Sequence, residues 1–212
     1  MRVESIMKTC YIVAAAELAE ERLRPEEGDL VIAADAGLKH CTEAWVAPDL
    51  SRGDFGSRGG AREGGDVLHL PVEKDDTDTI YAMRVGLERG YTDFVVYGGT
   101  GGRRADHTIA NLQGLLFLSS HGAHCRMYGD GVVWSVLHNE TISFPAGCGG
   151  TLSLFCMDGA ARGVTIRGLK YELADAEIRS DFPIGVSNSF MGAAASIEVR
   201  DGTLIMIHDI FG

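Results

Sequence analysis

Asp75, Asp76 and Asp78 crowd one short segment, Glu73-Lys74-Asp75-Asp76-Thr77-Asp78, just ahead of a stretch with helical spacing. Aspartate is a favoured helix N-cap, and acids suit the positive end of a helix dipole. Capping accounts well for one or two of these acids and poorly for the whole set. Two carboxylates ~6 Å apart repel by about 3 kcal/mol at an effective dielectric near 20. Asp54, in Arg52-Gly53-Asp54-Phe55-Gly56-Ser57, adds to that repulsion if its strand end lies alongside. A cation between the acids relieves it. Mg²⁺ suits such a set, because it is hard, takes oxygen ligands and bridges one or two carboxylates to substrate phosphates.

A second segment points to the same chemistry from the other side. Gly98-Gly99-Thr100-Gly101-Gly102-Arg103 follows an apolar run. Glycines let backbone N–H groups come close to a phosphate, and an arginine adds a planar charged fork. Asp106 and His107 then open a helical stretch, with Asn111 one turn on. The pattern is neither G-x-G-x-x-G nor the P-loop, and a tight structural turn has the same composition. It gains meaning only if other segments meet it.

The elements that must position these residues follow from periodicity. Strand-like runs at Thr9–Ala15, Asp29–Ala34, Asp66–Leu70, Asp93–Gly98 and His124–Tyr128 alternate with helical stretches. In Thr77–Arg89, Ile80, Met83 and Leu87 recur at helical spacing and Gly90 can end the helix; a second helix covers about 107–119. This alternation predicts an α/β domain, a mostly parallel, Rossmann-like sheet with helices on both faces. Ligands then bind at the carboxyl ends of the strands, where Asp35-Ala36-Gly37 and the acidic and glycine-rich segments fall. From about Gly129 short β-type runs are separated by Gly, Pro and Asp-Gly turns, with no helix of useful length. That rhythm predicts a C-terminal β-sandwich. The expected domains are 1–129 and 130–212.

Composition narrows the partners. The 212 residues carry a net charge of −11, with 45% apolar and 23% charged residues. Nucleic-acid binding rests on neutralising phosphates with Lys and Arg, so this balance argues against it. No apolar run approaches the ~20 residues of a membrane span, and no secretory core is visible. Five cysteines, none in C-x-x-C spacing, read as reduced thiols of a cytoplasmic protein.

Taken together the segments resemble the thiamine pyrophosphokinase family. The carriers are AADAGLKH (Ala33–His40), PDLSRGDFGS (Pro48–Ser57), EKDDTDT (Glu73–Thr79), GGTGGRRADHTIANL (Gly98–Leu112), GLKYEL (Gly168–Leu173) and GVSNSF (Gly185–Phe190). The resemblance covers nearly the whole chain. It implies transfer of pyrophosphate from ATP to thiamine with Mg²⁺, an α/β domain followed by a β-sandwich, and a homodimer with thiamine between subunits. It assigns Asp54 and Asp78 to the metal and phosphate centre, helped by Asp75 and Asp76. Asp35 and Gly37 fall near the nucleotide. Gly101, Gly102, Arg103, Asp106, His107 and Asn111 fall on the ATP side. Ser187, Asn188 and Phe190 match the sandwich segment that meets thiamine.

The chain departs from the family pattern in three places. Gly56 stands where the family usually has a second aspartate, which removes one carboxylate from the expected metal set. Ala36 replaces a usual glycine. The loop between Arg103 and Asp106 is one residue longer. Other readings therefore stay open: a non-catalytic thiamine- or nucleotide-binding homologue, a pyrophosphokinase for another alcohol such as a pterin, or a phosphohydrolase using the same acids.

Overall fold

The computed structural model describes residues 8–16, 23–52, 66–67, 76–101 and 104–210. The chain divides into two compact units, Met1–Asp130 and Gly131–Gly212.

The first unit contains β1 (Thr9–Val13), β2 (Leu30–Ala34), α1 (Gly37–Glu43), β3 (Leu50–Arg52), β4 (Asp66–Val67), α2 (Asp78–Glu88), β5 (Asp93–Tyr97), α3 (Ala105–Ser120) and β6 (His124–Gly129). Its strands lie in the order β6-β5-β1-β2-β3-β4, and every pairing is parallel. β2 and β5 are buried at every position, as expected of parallel strands covered on both faces. Cys41 of α1 joins Val13, Val31 and Val95 on one face. On the other face Gly86 of α2 lies against Phe94 and Cys10. Burial pushes the Cys10 thiol up to about 12. The parallel sheet with helices on both faces is thus present as read from the periodicity.

Register decides what the unit can build. Val13 pairs with Ala33 on one side and Tyr97 on the other. The carboxyl ends of β1, β2 and β5 are therefore level, and the residues that follow them emerge side by side. Backbone bonds continue the alignment past the strands: the Ala14 N–H donates to the Tyr97 carbonyl at 2.8 Å, and the Ala16 N–H to that of Gly98 at 3.0 Å.

The second unit contains β7 (Val132–His138), β8 (Thr141–Phe144), β9 (Thr151–Cys156), β10 (Ala160–Arg167), β11 (Leu173–Arg179), β12 (Asn188–Ser189), β13 (Ala195–Glu198) and β14 (Thr203–Asp209). These form two antiparallel sets, β12-β9-β14-β7 and β11-β10-β13-β8. Leu152, Leu154, Leu204 and Met206 of the first share one core with Val164, Ile166, Ile178 and Ile197 of the second. Two sheets closed over a common apolar layer make the expected sandwich. Among the described residues no helix is long and apolar enough to cross a membrane.

Candidate active site

The level strand ends of the first unit open into a cleft of about 490 Å³. Its walls are residues 14–16 after β1, Asp35 after β2, Asp76–Thr79 at the start of α2, Gly98, Gly99 and Gly101 after β5, and Arg104, His107, Thr108, Ala110 and Asn111 around the start of α3. Of the eight described α/β-domain residues singled out from the sequence, six thus meet in one place, Asp35, Asp76, Asp78, Gly101, His107 and Asn111, while Gly37 and Asp106 are not among its walls. Asp54, Asp75, Gly102 and Arg103, with Gly56, lie outside the described residues.

Close packing shapes the walls. Gly37 begins α1 directly against β1; a Cβ there would fall 1.8 Å from the Val13 carbonyl oxygen, so only glycine fits. Gly98 takes φ 64°, and its Cβ would lie 2.5 Å from the Ala16 carbonyl oxygen. Asn111 is buried, and its Nδ2 donates to the Gly99 carbonyl at 2.7 Å. The glycine-rich turn is thereby tied to β1 on one side and to α3 on the other.

The acids occupy the start of α2. Thr77, rather than an aspartate, caps this helix: its Oγ1 accepts from the Ile80 N–H at 3.3 Å. Capping therefore does not account for the neighbouring carboxylates. Asp76 accepts from Arg84 Nη1 at 2.8 Å, and Asp78 sits in the first turn. Asp35 also lines the cleft, on a left-handed backbone with φ 54°. Among the described residues no group of three or more His, Cys, Asp or Glu side chains is placed to hold a metal. Mg²⁺ needs only one or two carboxylates when waters and phosphates complete its shell. The oxygen donors of Asp78, Asp76 and Asp35 fit a hard cation in kind.

Arg104 is a wall residue that the sequence reading did not single out. Its guanidinium grips Asp106 through two groups, Nε to Oδ1 at 2.9 Å and Nη2 to Oδ2 at 2.6 Å. That charge-assisted fork holds the Asp106 carboxyl down at about 2, and Arg104 is raised in turn. Asp106 thus steers Arg104 at the rim. The signal was present in the doublet Arg103-Arg104: the loop one residue longer offers two arginines for one position.

In the sandwich unit the side chains of Asn188 and Phe190 are built into the framework, while Ser187 is exposed and tied to it by its backbone. Ser187 takes φ 59°, and its N–H donates to Ser153 Oγ at 3.0 Å. Buried Asn188 holds both backbone groups of Tyr171, accepting from its N–H at 2.9 Å and donating to its carbonyl at 2.6 Å. Phe190 belongs to the core and meets Phe144 edge-on at 5.1 Å between centroids. Tyr171, Val186 and Met191, which the sequence reading did not weigh as site residues, are the exposed side chains around them.

Comparison with known proteins matches each unit separately. The model for the thiamin pyrophosphokinase catalytic domain matches residues 24–127, and that for the thiamin pyrophosphokinase vitamin B1 binding domain matches 139–204. Thiamine pyrophosphokinase of Bacillus subtilis (strain 168) is 27% identical, over 95% of this chain and 98% of that protein. A crystal structure of the Bacillus subtilis protein superposes with a TM-score of 0.85 at 25% identity, covering 95% of this chain and 99% of that one. That of thiamin pyrophosphokinase from Geobacillus thermodenitrificans gives 0.81 at 24% identity, covering 95% and 97%, a likeness of fold alone. With a catalytic-domain match over the unit that carries the cleft and a vitamin B1 domain match over the sandwich, the chain belongs to the thiamin pyrophosphokinase family.

Proposed function

We propose that the chain is an ATP:thiamine diphosphotransferase, moving pyrophosphate from ATP to the thiamine hydroxyl to give thiamine diphosphate and AMP. The observation that carries this reading is the cleft itself: acids at the start of α2, a tied glycine-rich turn and a steered arginine converge at level strand ends. Such a set handles a polyphosphate by positioning and charge neutralisation, which is what phosphoryl-type transfer requires.

In this reading the N–H groups of the turn after β5 and the Arg104 guanidinium receive phosphate oxygens. Asp78 would hold Mg²⁺, together with Asp54 and Asp75 from outside the described residues. When bound, Mg²⁺ supplies neutralisation of the phosphate charge. The thiamine hydroxyl attacks the β-phosphorus, the bond to the α-phosphate oxygen breaks, and AMP leaves. The hydroxyl proton passes to a carboxylate of the acidic set. The segment carrying Ser187 and Asn188 would present thiamine, in a homodimer, to the cleft of the partner subunit.

Purified protein incubated with ATP, Mg²⁺ and thiamine should yield thiamine diphosphate and AMP in equal amounts. A second reading is favoured by Gly56, which leaves the acidic set one carboxylate short of the family pattern. That reading, a binder without turnover, predicts thiamine binding by calorimetry with no AMP released. ATP cleavage without thiamine would instead indicate a hydrolase.

A further inference from the structure

Asp76 and Asp78 stand two residues apart in the cleft wall, on either side of the Thr77 cap. Asp76 is held by a cation from further along the helix: Arg84 Nη1 donates to its Oδ2 at 2.8 Å. Arg84 is not itself a wall residue. Its reach follows from its place on α2. Position 84 lies seven residues past Thr77, about two turns, so the two share a face of the helix. Long side chains on a helix lean toward its N-terminus. The guanidinium is thereby carried back to the residue just ahead of the cap.

Taken by itself this is a poor place for a cation. The N-terminus is the positive end of the helix, and a carboxylate there is stabilised without any partner. Glu88, one turn on, offers Arg84 an acid at i,i+4 toward the end that suits positive charge. Arg84 is half exposed, and exposed ion pairs contribute little to stability. Helix stability therefore does not explain the pair. What the pair changes is the cleft: it cancels one carboxylate in the wall and fixes it in place, two residues from Asp78. A divalent ion that bridges phosphates takes one or two carboxylates. An uncommitted carboxylate beside them would offer the ion a second, unproductive position.

We propose that Arg84 is a positioning residue for the metal and phosphate centre: by holding Asp76 it keeps that carboxylate off the ion and fixes the chain where it enters α2 beside Asp78. The proposal rests on the phosphate-transfer reading of the cleft given above. It adds a residue from outside the walls and gives Asp76 a part distinct from that of Asp78.

The test compares wild type with Arg84→Gln, Arg84→Lys, Asp76→Asn and the double variant Asp76→Asn/Arg84→Gln, each checked by a thermal melt. Two readouts are taken: Mn²⁺ binding to the nucleotide-free protein by electron paramagnetic resonance, and steady-state turnover of ATP and thiamine. In Arg84→Gln the freed carboxylate should tighten Mn²⁺ binding about fivefold, since affinity follows the charge of the ligand set. Its kcat should fall roughly tenfold with the KM for thiamine unchanged, the mark of a loss felt in the transition state. Arg84→Lys keeps a cation in reach of Asp76 and should recover much of both. Removing the acid as well should reverse the effect: the double variant returns to within about twofold of the wild-type Mn²⁺ affinity and turns over faster than Arg84→Gln, the non-additivity of a coupled pair. Asp76→Asn alone should match the double variant. Unchanged Mn²⁺ binding and kcat in Arg84→Gln overturns the proposal, since the pair is then a surface contact. A loss of Mn²⁺ affinity in Asp76→Asn as large as that in Asp78→Asn overturns it too, by placing Asp76 on the ion. So do additive losses in the double variant. Failure of the phosphate-transfer reading looks different: no thiamine diphosphate forms in any variant or in wild type. The Mn²⁺ titrations then decide alone. Tightening in Arg84→Gln that the second substitution reverses sustains the role of Arg84; no tightening, or no Mn²⁺ binding at all, overturns it.

Discussion

The two units answer their sequence motifs in opposite ways. In the α/β unit, Asp35, Asp78, His107 and Asn111 come from segments far apart in the chain and line one cleft. In the sandwich unit, Asn188 and Phe190 come from one short segment and point into the framework. Sheet geometry explains the difference. Level parallel strands deliver their following residues to a common edge, outside the hydrogen-bonded ladder, where side chains are free for ligands. A segment paired along an antiparallel sheet alternates in and out, so about half of any motif becomes structure. Exposed Ser187 and Met191 flank buried Asn188 and Phe190 accordingly. A matched motif can thus mark contact with a ligand in one unit and support for that contact in the other.

The sharpest test of this contrast is charge removal in the cleft. Asp78→Asn keeps size and leaves the Thr77 cap in place. Turnover of ATP and thiamine should fall by about a thousandfold or more, equivalent to about 4 kcal/mol of transition-state stabilisation. The protein should stay folded, with a stability loss that includes the ~1 kcal/mol an acid contributes at a helix N-terminus. Steady-state kinetics alongside a denaturant melt measures both. Turnover near that of wild type would remove Asp78 from the phosphate centre.

The sandwich variants should show the inverse pattern. Phe190→Ala empties a core position against Phe144 and should cost about 3 kcal/mol of stability or more. Asn188→Ala leaves the Tyr171 N–H and carbonyl without their partner and should cost about 2 kcal/mol. Urea titrations give both values. If either variant keeps its melt midpoint while the KM for thiamine rises, that side chain touches ligand and the contrast between the units collapses.

Legibility followed the same physics. α2 was readable because Ile80, Met83 and Leu87 keep helical spacing, and β5 because Asp93–Tyr97 is continuously apolar after its first residue. α1 was not, since its seven residues bury only Gly37 and Cys41 and carry no apolar stripe. β11 escaped because it is an edge strand; Asp175, Glu177 and Arg179 blunt it and only Ile178 is buried. In the site, types and order were legible while contacts were not. That Thr77 rather than an aspartate caps α2, that Arg104 reaches the cleft, and that Asp106 holds Arg104 all depend on where a helix begins. Sequence spacing fixes such a boundary only to within a few residues.

The smallest effect lies at that boundary and sharpens the account of the arginine. Arg104 holds the Asp106 carboxyl at about 2, first through its side-chain hydrogen bonds. The ordinary value is about 3.9. Because the folded value is the lower one, an unfolded chain takes up this proton first as pH falls. The stability linked to Asp106 is therefore fully present above about pH 4 and lost as pH drops toward 2. Arg104→Ala should return the Asp106 carboxyl to near its ordinary value, read from its carbon chemical shift across an acid titration, and should remove that part of the acid slope. Both residues are exposed, so the change in stability at neutral pH should be slight. The KM for ATP should rise because a phosphate contact is lost. Asp106→Asn frees the guanidinium without removing it, so its KM should rise less. Equal effects in the two variants would show that the ion pair serves α3 alone and that another group meets the phosphates.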